Sequence, residues 1–181
     1  FYSNVLKNIR TINISDFKLL IGGTVSALIF SYPAFVSFDI FNYIATAKTL
    51  FFFHENPYIV MPIEFIGDPL LLFTHAANKI ALYGPFWIGL TSTPYLAGFG
   101  NFLLTLFSFK LLIVLFYLGI TFLLWKMTKD LFSVSLFALN PLVIIETLVS
   151  SHNDIVMMFL ALISFFFLQK KKILLAILFV T

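Results

Sequence analysis

Four polar residues stand just ahead of a long apolar run in the second half of the chain. The stretch ETLVSSHNDIVMMFL, residues 146–160, contains Glu146, His152, Asn153 and Asp154. A carboxylate can act as a general base, and a histidine or asparagine can donate hydrogen bonds to an anion. Helix capping is the competing interpretation, because Ser, Asn and Asp are preferred at helix N-termini. Capping leaves Glu146 unexplained, since an ionised carboxylate is costly in apolar surroundings unless it is paired or hydrated.

A second polar group, Asp39 with Asn42 and Tyr43, follows the first apolar run. Asp39 is predicted to be a general base or a substrate anchor, and capping of the next helix is the alternative. Lys110 lies inside another apolar run, in LFSFKLLIVLF. It either extends to the lipid headgroups or faces a cavity, where it would neutralise a lipid-linked phosphate.

The remaining aromatic and histidine residues give weaker signals. Tyr83 and Trp87, in YGPFW, suit an interfacial aromatic belt, and either ring could instead stack on a sugar. His54 and His75 are interpreted as loop residues exposed to solvent. The histidine spacing is not a zinc signature, so no metal site is predicted.

The composition indicates an integral membrane protein. Of 181 residues, 61% are apolar and only 10% are charged, and the mean hydropathy is +1.04, far from the usage of soluble domains. The net charge of +3 comes from scattered lysines rather than from a basic face, so no nucleic-acid partner is expected. The chain has no cysteine, which excludes disulfides and cysteine metal sites within it.

The apolar runs predict an all-α, polytopic transmembrane helical bundle in one domain. A span needs about 20 apolar residues, which gives about four full spans and a truncated fifth, so we expect a piece of a longer protein. The predicted spans are residues 18–36, 102–125, 131–149, 154–168 and 173–181. A large polar and aromatic loop, residues 37–101, is predicted to carry an amphipathic interfacial helix over residues 38–53 and a second helix after Tyr83-Gly84-Pro85. Asn140-Pro141 should break the third span.

Lysines predict the orientation of these spans. They fall before the first span, between the second and third, and after the fourth, so this side should be cytoplasmic. The loop 37–101 and the segment 146–154 then share the extracytoplasmic side. The sequence therefore predicts that Asp39 and the Glu146–Asp154 group form two walls of one site.

The order of these features resembles the GT-C superfamily of polytopic glycosyltransferases. The resemblance rests on FDIFNYI, then ENPY, then YGPFW, then NPLVIIETLVSSHNDIVMMFLAL. It is nearest to the polyprenyl-phosphate-mannose-dependent α-mannosyltransferases of prokaryotes and more distant from the GPI mannosyltransferases. Many relatives carry paired acids at the first position, whereas Ser37-Phe38 precede a single Asp39 here, so neither a metal nor another cofactor is expected.

The resemblance implies transfer of a hexose, mannose above all, from a polyprenyl-phosphate donor to an extracytoplasmic glycan or lipid acceptor. It implies that Asp39 is the catalytic acid of the loop, and that a substrate pocket is lined by Glu146, His152, Asn153 and Asp154. Lys110, as an intramembrane cation, and Tyr43, beside Asp39, are added to the predicted substrate-binding residues. Two alternatives remain: a non-catalytic membrane subunit of a glycolipid-processing complex, and a transporter of lipids or solutes. A transporter should show broken helices in repeated halves.

Overall fold

The computed structural model of the chain describes residues 2–33 and 37–179. These residues form helices, turns and loops, and no strand occurs among them, which confirms the predicted all-helical class. The principal helices are α1 (Tyr2–Asn8), α2 (Ile14–Leu28), α3 (Asp39–Phe51), α4 (Pro85–Ala97), α5 (Phe102–Thr128), α6 (Leu131–Ala138), α7 (Pro141–Val143, continued by a π-helix over Ile144–Val149), α8 (Asp154–Gln169) and α9 (Ile173–Leu178). Short 3-10 helices occur at Ile9–Thr11, Pro62–Glu64 and Pro69–Leu72.

The chain divides into two compact units. We call residues 32–112 the loop unit, and residues 1–31 with 113–181 the terminal unit. The loop unit contains α3, α4 and the first part of α5. The terminal unit contains α1, α2, the rest of α5 and α6 to α9.

One helix of the described chain is long and apolar enough to cross a bilayer by itself. Helix α5 has 27 residues, and its most apolar 18-residue stretch has a mean hydropathy of 2.3. Helices α6 and α7 reach that length only as a pair, bent by 45°. Helix α8 has 16 residues and is shorter than a span. The described residues thus contain one clear span, or two if the bent pair counts as one.

Helix α2 differs from the predicted first span at both ends. It begins at Ile14 because Asn13 Oδ1 accepts the Asp16 backbone N–H at 2.8 Å, as an N-cap does. It ends at Leu28, five residues before Pro33, and a proline disfavours helical backbone in the residue that precedes it. Residues 34–36 of the predicted first span, and residues 180 and 181 of the fifth, lie outside the described residues.

The predicted break at Asn140-Pro141 is confirmed. Asn140 Oδ1 accepts the Leu142 backbone N–H at 2.9 Å and so caps α7. Helix α6 therefore loses its continuation, and its last carbonyl groups need other donors. The Tyr117 hydroxyl, on α5 within the same unit, donates to the Ala138 carbonyl. The break is thus stabilised by one cap on each side.

Helix α3 is the core of the loop unit. The sequence predicted this helix correctly but assigned it an amphipathic position at the membrane surface. Eight of its 13 residues are buried, and they include the polar residue Thr46. Thr49 is also buried, and its hydroxyl donates to the Ala45 carbonyl at 3.1 Å. Helix α3 is therefore enclosed by the loop that follows it. The amphipathic pattern predicted one buried face, whereas residues on more than one face are buried.

Candidate active site

Asp39 lies in the first turn of α3, where its charge suits the helix dipole. The N-cap position is occupied by Phe38, which has no capping hydrogen bond from its side chain. The Asp39 backbone N–H donates instead to the Ser37 hydroxyl at 3.1 Å. Phe38 rather than Asp39 therefore occupies the N-cap position, and the half-buried Asp39 carboxylate is bonded by a side chain of its own helix.

Asn42 connects Asp39 to a distant part of the loop. Its amide Nδ2 donates to Asp39 Oδ1 at 3.4 Å, and its Oδ1 accepts the Ala76 backbone N–H at 3.2 Å. The neighbouring His75 ring stacks on Phe38 with centroids 3.9 Å apart. His75 is exposed, as expected for a loop residue, yet it borders the acid. A base of fixed orientation is what abstraction of a hydroxyl proton needs.

The three predicted aromatic residues contact one another within the loop unit. Tyr43 is 1% exposed, and its ring meets those of Tyr83 and Trp87 edge to face, with centroids 5.0 Å apart in both cases. Trp87 is also buried, whereas Tyr83 is half-buried. Tyr43 and Trp87 thus support the wall of the site, and Tyr83 offers the most accessible ring of the three for stacking on a sugar.

Lys110 is 1% exposed on α5. Burial of an ammonium group is costly unless an anion or hydrogen-bond acceptors compensate for the lost water. The Lys110 side chain is therefore covered by the protein, and a cavity beside it stays a prediction.

Glu146 and His152 form a pair in the terminal unit. Glu146 lies in the π-helix Ile144–Val149, where the Ser150 N–H donates to the Ile145 carbonyl at 2.8 Å. The extra residue in such a turn brings Glu146 Oε2 to 3.5 Å from His152 Nε2. The His152 backbone N–H also donates to the Glu146 carbonyl at 2.9 Å. π-Turns are frequent at functional sites because they reorient side chains.

Two buried hydroxyls accompany this pair. Ser151 has a left-handed backbone with φ of 59°, which is strained for a residue other than glycine. Neither the Ser150 nor the Ser151 hydroxyl finds a hydrogen-bond partner within the described residues, although both side chains are buried. The sequence singled out Ser151 only as a possible helix cap and did not single out Ser150, since nothing in their spacing signals a π-turn.

The capping interpretation of residues 151–154 is not supported. Asn153 occupies the N-cap position of α8, but its side chain makes no capping hydrogen bond. Asp154 follows as the first helical residue and is exposed. Hydrogen bonding at a helix cap therefore does not account for the polar side chains of residues 151–154.

The predicted site residues are distributed over both units. The loop unit holds Asp39, Tyr43, Tyr83, Trp87 and Lys110, and the terminal unit holds Glu146, His152, Asn153 and Asp154. Their union in one site stays a prediction. No group of three or more histidine or acidic side chains suited to a metal ion occurs in residues 2–33 and 37–179.

Comparison with known protein families gives a match over most of the chain. Residues 25–181 match the family described as alpha-(1->6)-mannopyranosyltransferase, N-terminal domain. No curated protein and no solved structure matches the chain significantly.

Proposed function

Because the chain belongs to the alpha-(1->6)-mannopyranosyltransferase family, and is therefore a glycosyltransferase, we propose that it uses a polyprenyl-phosphate mannose donor. The acceptor is an extracytoplasmic glycan or lipid that ends in a mannoside. The family match carries this proposal, and the Asp39 cluster supplies the chemistry. The alternative of a non-catalytic subunit does not agree with membership of an enzyme family.

The proposed reaction needs a base and an anion-binding group. Asp39 removes the proton of an acceptor hydroxyl, whose oxygen forms the new bond to C1 of the mannosyl residue. The bond between C1 and the phosphate oxygen breaks, and polyprenyl phosphate leaves with the electron pair. A positioned carboxylate supplies about 10²- to 10⁴-fold of rate in such a step.

The leaving phosphate gains charge as the bond breaks. The buried ammonium of Lys110 is the proposed charge partner, and His152 and Asn153 are proposed hydrogen-bond donors. Glu146 orients His152 through their 3.5 Å contact. Tyr83 is proposed to stack on the mannosyl ring. A lipid donor explains why these residues accompany an apolar helix, because its tail remains in the bilayer while its phosphate meets polar groups.

The test uses the purified full-length protein in lipid nanodiscs. Radiolabelled mannose is supplied either on a polyprenyl phosphate or on a nucleotide, with methyl α-mannoside as the acceptor. We expect labelled disaccharide only from the lipid-linked donor. Equal transfer from the nucleotide sugar would contradict the proposed donor, and absence of transfer from both would contradict the proposed reaction.

A further inference from the structure

The loop unit contains a cavity that the proposed chemistry does not use. Its volume is about 290 Å³. Its polar lining comes from Lys48, Asp68, Tyr95 and Thr105, and its apolar lining includes Phe73 and Phe102. The cavity lies beside the middle of α3, in the same unit as Asp39.

An ion pair forms the polar wall of this cavity. Lys48 Nζ lies 2.7 Å from Asp68 Oδ2 and donates to Oδ1 at 2.8 Å. The Asp68 side chain is 8% exposed and also accepts the Leu70 backbone N–H at 3.0 Å. The Lys48 ammonium further lies 5.5 Å from the centroid of the Phe52 ring. Both charged groups are therefore held in fixed positions.

The charges of this wall indicate which ligand it suits. Lysine and aspartate neutralise each other, so the wall attracts a phosphate less than a lone ammonium would. It presents a fixed acceptor and a fixed donor side by side. A hydroxyl both donates and accepts hydrogen bonds, so a neutral polyol can satisfy both groups at once.

The third polar group of the wall is a protonated phenol. Burial, and secondarily the negative charge of Asp68, raise the pKa of Tyr95 above its ordinary value. Tyr95 therefore remains a hydrogen-bond donor at neutral pH. The wall thus offers a phenol donor beside the ion pair.

Part of the cavity lining is aromatic. The Phe73 and Phe102 rings stack with centroids 5.4 Å apart and an interplanar angle of 21°. Phe73 and Phe102 retain 39% and 37% of their surface exposed. A lining that combines aromatic rings with hydrogen-bonding groups matches a sugar, which has an apolar face and a rim of hydroxyls.

We propose that this cavity binds a mannosyl residue of the acceptor chain at a distance from the reacting hydroxyl. The inference rests on the proposed function. Asp39 and Lys48 are nine positions apart on α3, which corresponds to about 13 Å along the helix axis and to opposite faces of the helix. An oligosaccharide must therefore pass from one face of α3 to the other to reach both. The cavity would therefore favour longer acceptors over a single mannoside.

The test compares two acceptors in the full-length protein: α-(1→6)-linked mannotriose and methyl α-mannoside. The double variant Lys48→Met/Asp68→Asn removes both charges together, which avoids an unpaired buried charge, and asparagine can still cap the short helix after it. We expect the KM for mannotriose to rise about tenfold, with the KM for methyl α-mannoside and for the lipid-linked donor unchanged. Tyr95→Phe should give a smaller rise with the same selectivity.

The matched control is Lys129→Met/Asp130→Asn. It makes the same two changes at another helix N-cap, where Asp130 Oδ2 accepts the Ser133 N–H at 2.8 Å. This control should leave both acceptor KM values unchanged. Unchanged mannotriose kinetics in the Lys48/Asp68 and Tyr95 variants, or an equal rise for both acceptors, would overturn the proposal. If the double variant fails to fold, Tyr95→Phe decides by the same criterion.

Direct binding separates this proposal from the proposed function. Mannotriose is titrated into the wild-type protein and into Tyr95→Phe by calorimetry, without a donor. If the wild-type protein transfers no mannose but binds mannotriose more tightly than the variant, the cavity assignment stands and the reaction fails. Equal binding by the two proteins, or no binding by either, overturns the cavity assignment, whatever the transfer assay shows.

Discussion

Replacing Asp39 by asparagine is expected to lower kcat for mannosyl transfer by about 10²- to 10⁴-fold, because an amide cannot take the proton of the acceptor hydroxyl. Asparagine has nearly the same shape and can still accept the hydrogen bond that Asn42 donates. The fold should therefore persist. The measurement is the initial rate of label transfer at saturating donor and acceptor, in the full-length protein.

Asp16→Asn is the matched control for this experiment. Asp16 also lies in the first turn of a helix, α2, and is exposed. We expect this variant to retain the wild-type rate. An Asp39→Asn variant that inserts, folds and keeps full transfer would remove Asp39 from the reaction.

Replacing Lys110 by methionine is expected to lower kcat/KM for the lipid-linked donor by about 10- to 100-fold. The loss corresponds to one hydrogen bond between charged groups. Methionine fills a similar volume and carries no charge, so the cost of burying an ammonium disappears. The thermal stability of the variant in detergent is measured alongside the kinetics, so that a loss of the fold is distinguished from a loss of donor binding.

Lys126→Met provides the comparison for Lys110. Lys126 lies in the last turn of the same helix, but it is exposed and rests near the Phe166 ring. Its replacement should change neither donor kinetics nor stability. Unaltered donor kinetics in Lys110→Met would show that Lys110 does not meet the phosphate. A large loss of stability would show instead that its charge serves the fold.

The sequence predicted the features that depend on local rules. The helix after Gly84-Pro85 and the break at Asn140-Pro141 follow from proline alone, since proline suits a first turn and interrupts a helix. The beginning of α3 and the span α5 follow from apolar spacing and length. The resemblance to α-mannosyltransferases is confirmed by the family match. It could be found in the sequence because it rests on short motifs in a fixed order.

Features that depend on distant contacts could not be predicted in this way. The partners Lys48 and Asp68 are 20 positions apart and carry no shared motif. The contact of Asn42 with Ala76 spans 34 positions, and it explains why α3 is enclosed by the loop. The π-turn at Glu146 is likewise invisible to a periodicity of 3.6 residues, since it changes only one turn.

The central claim is that the Asp39 cluster and the Glu146–His152 pair face the same, extracytoplasmic side of the membrane and serve one transfer reaction. Single cysteines test it, because residues 1–181 contain none. His75→Cys and Asp154→Cys mark the two clusters, and Lys7→Cys and Lys171→Cys mark the opposite side; all four positions are exposed.

The measurement is labelling of each single-cysteine protein in intact cells by a membrane-impermeant maleimide, with the full-length protein freed of other cysteines. We predict rapid labelling at positions 75 and 154, and labelling at positions 7 and 171 only after the membrane is opened. Labelling of position 75 but not position 154 in intact cells, or the reverse, would place the two clusters on opposite sides and contradict a shared site.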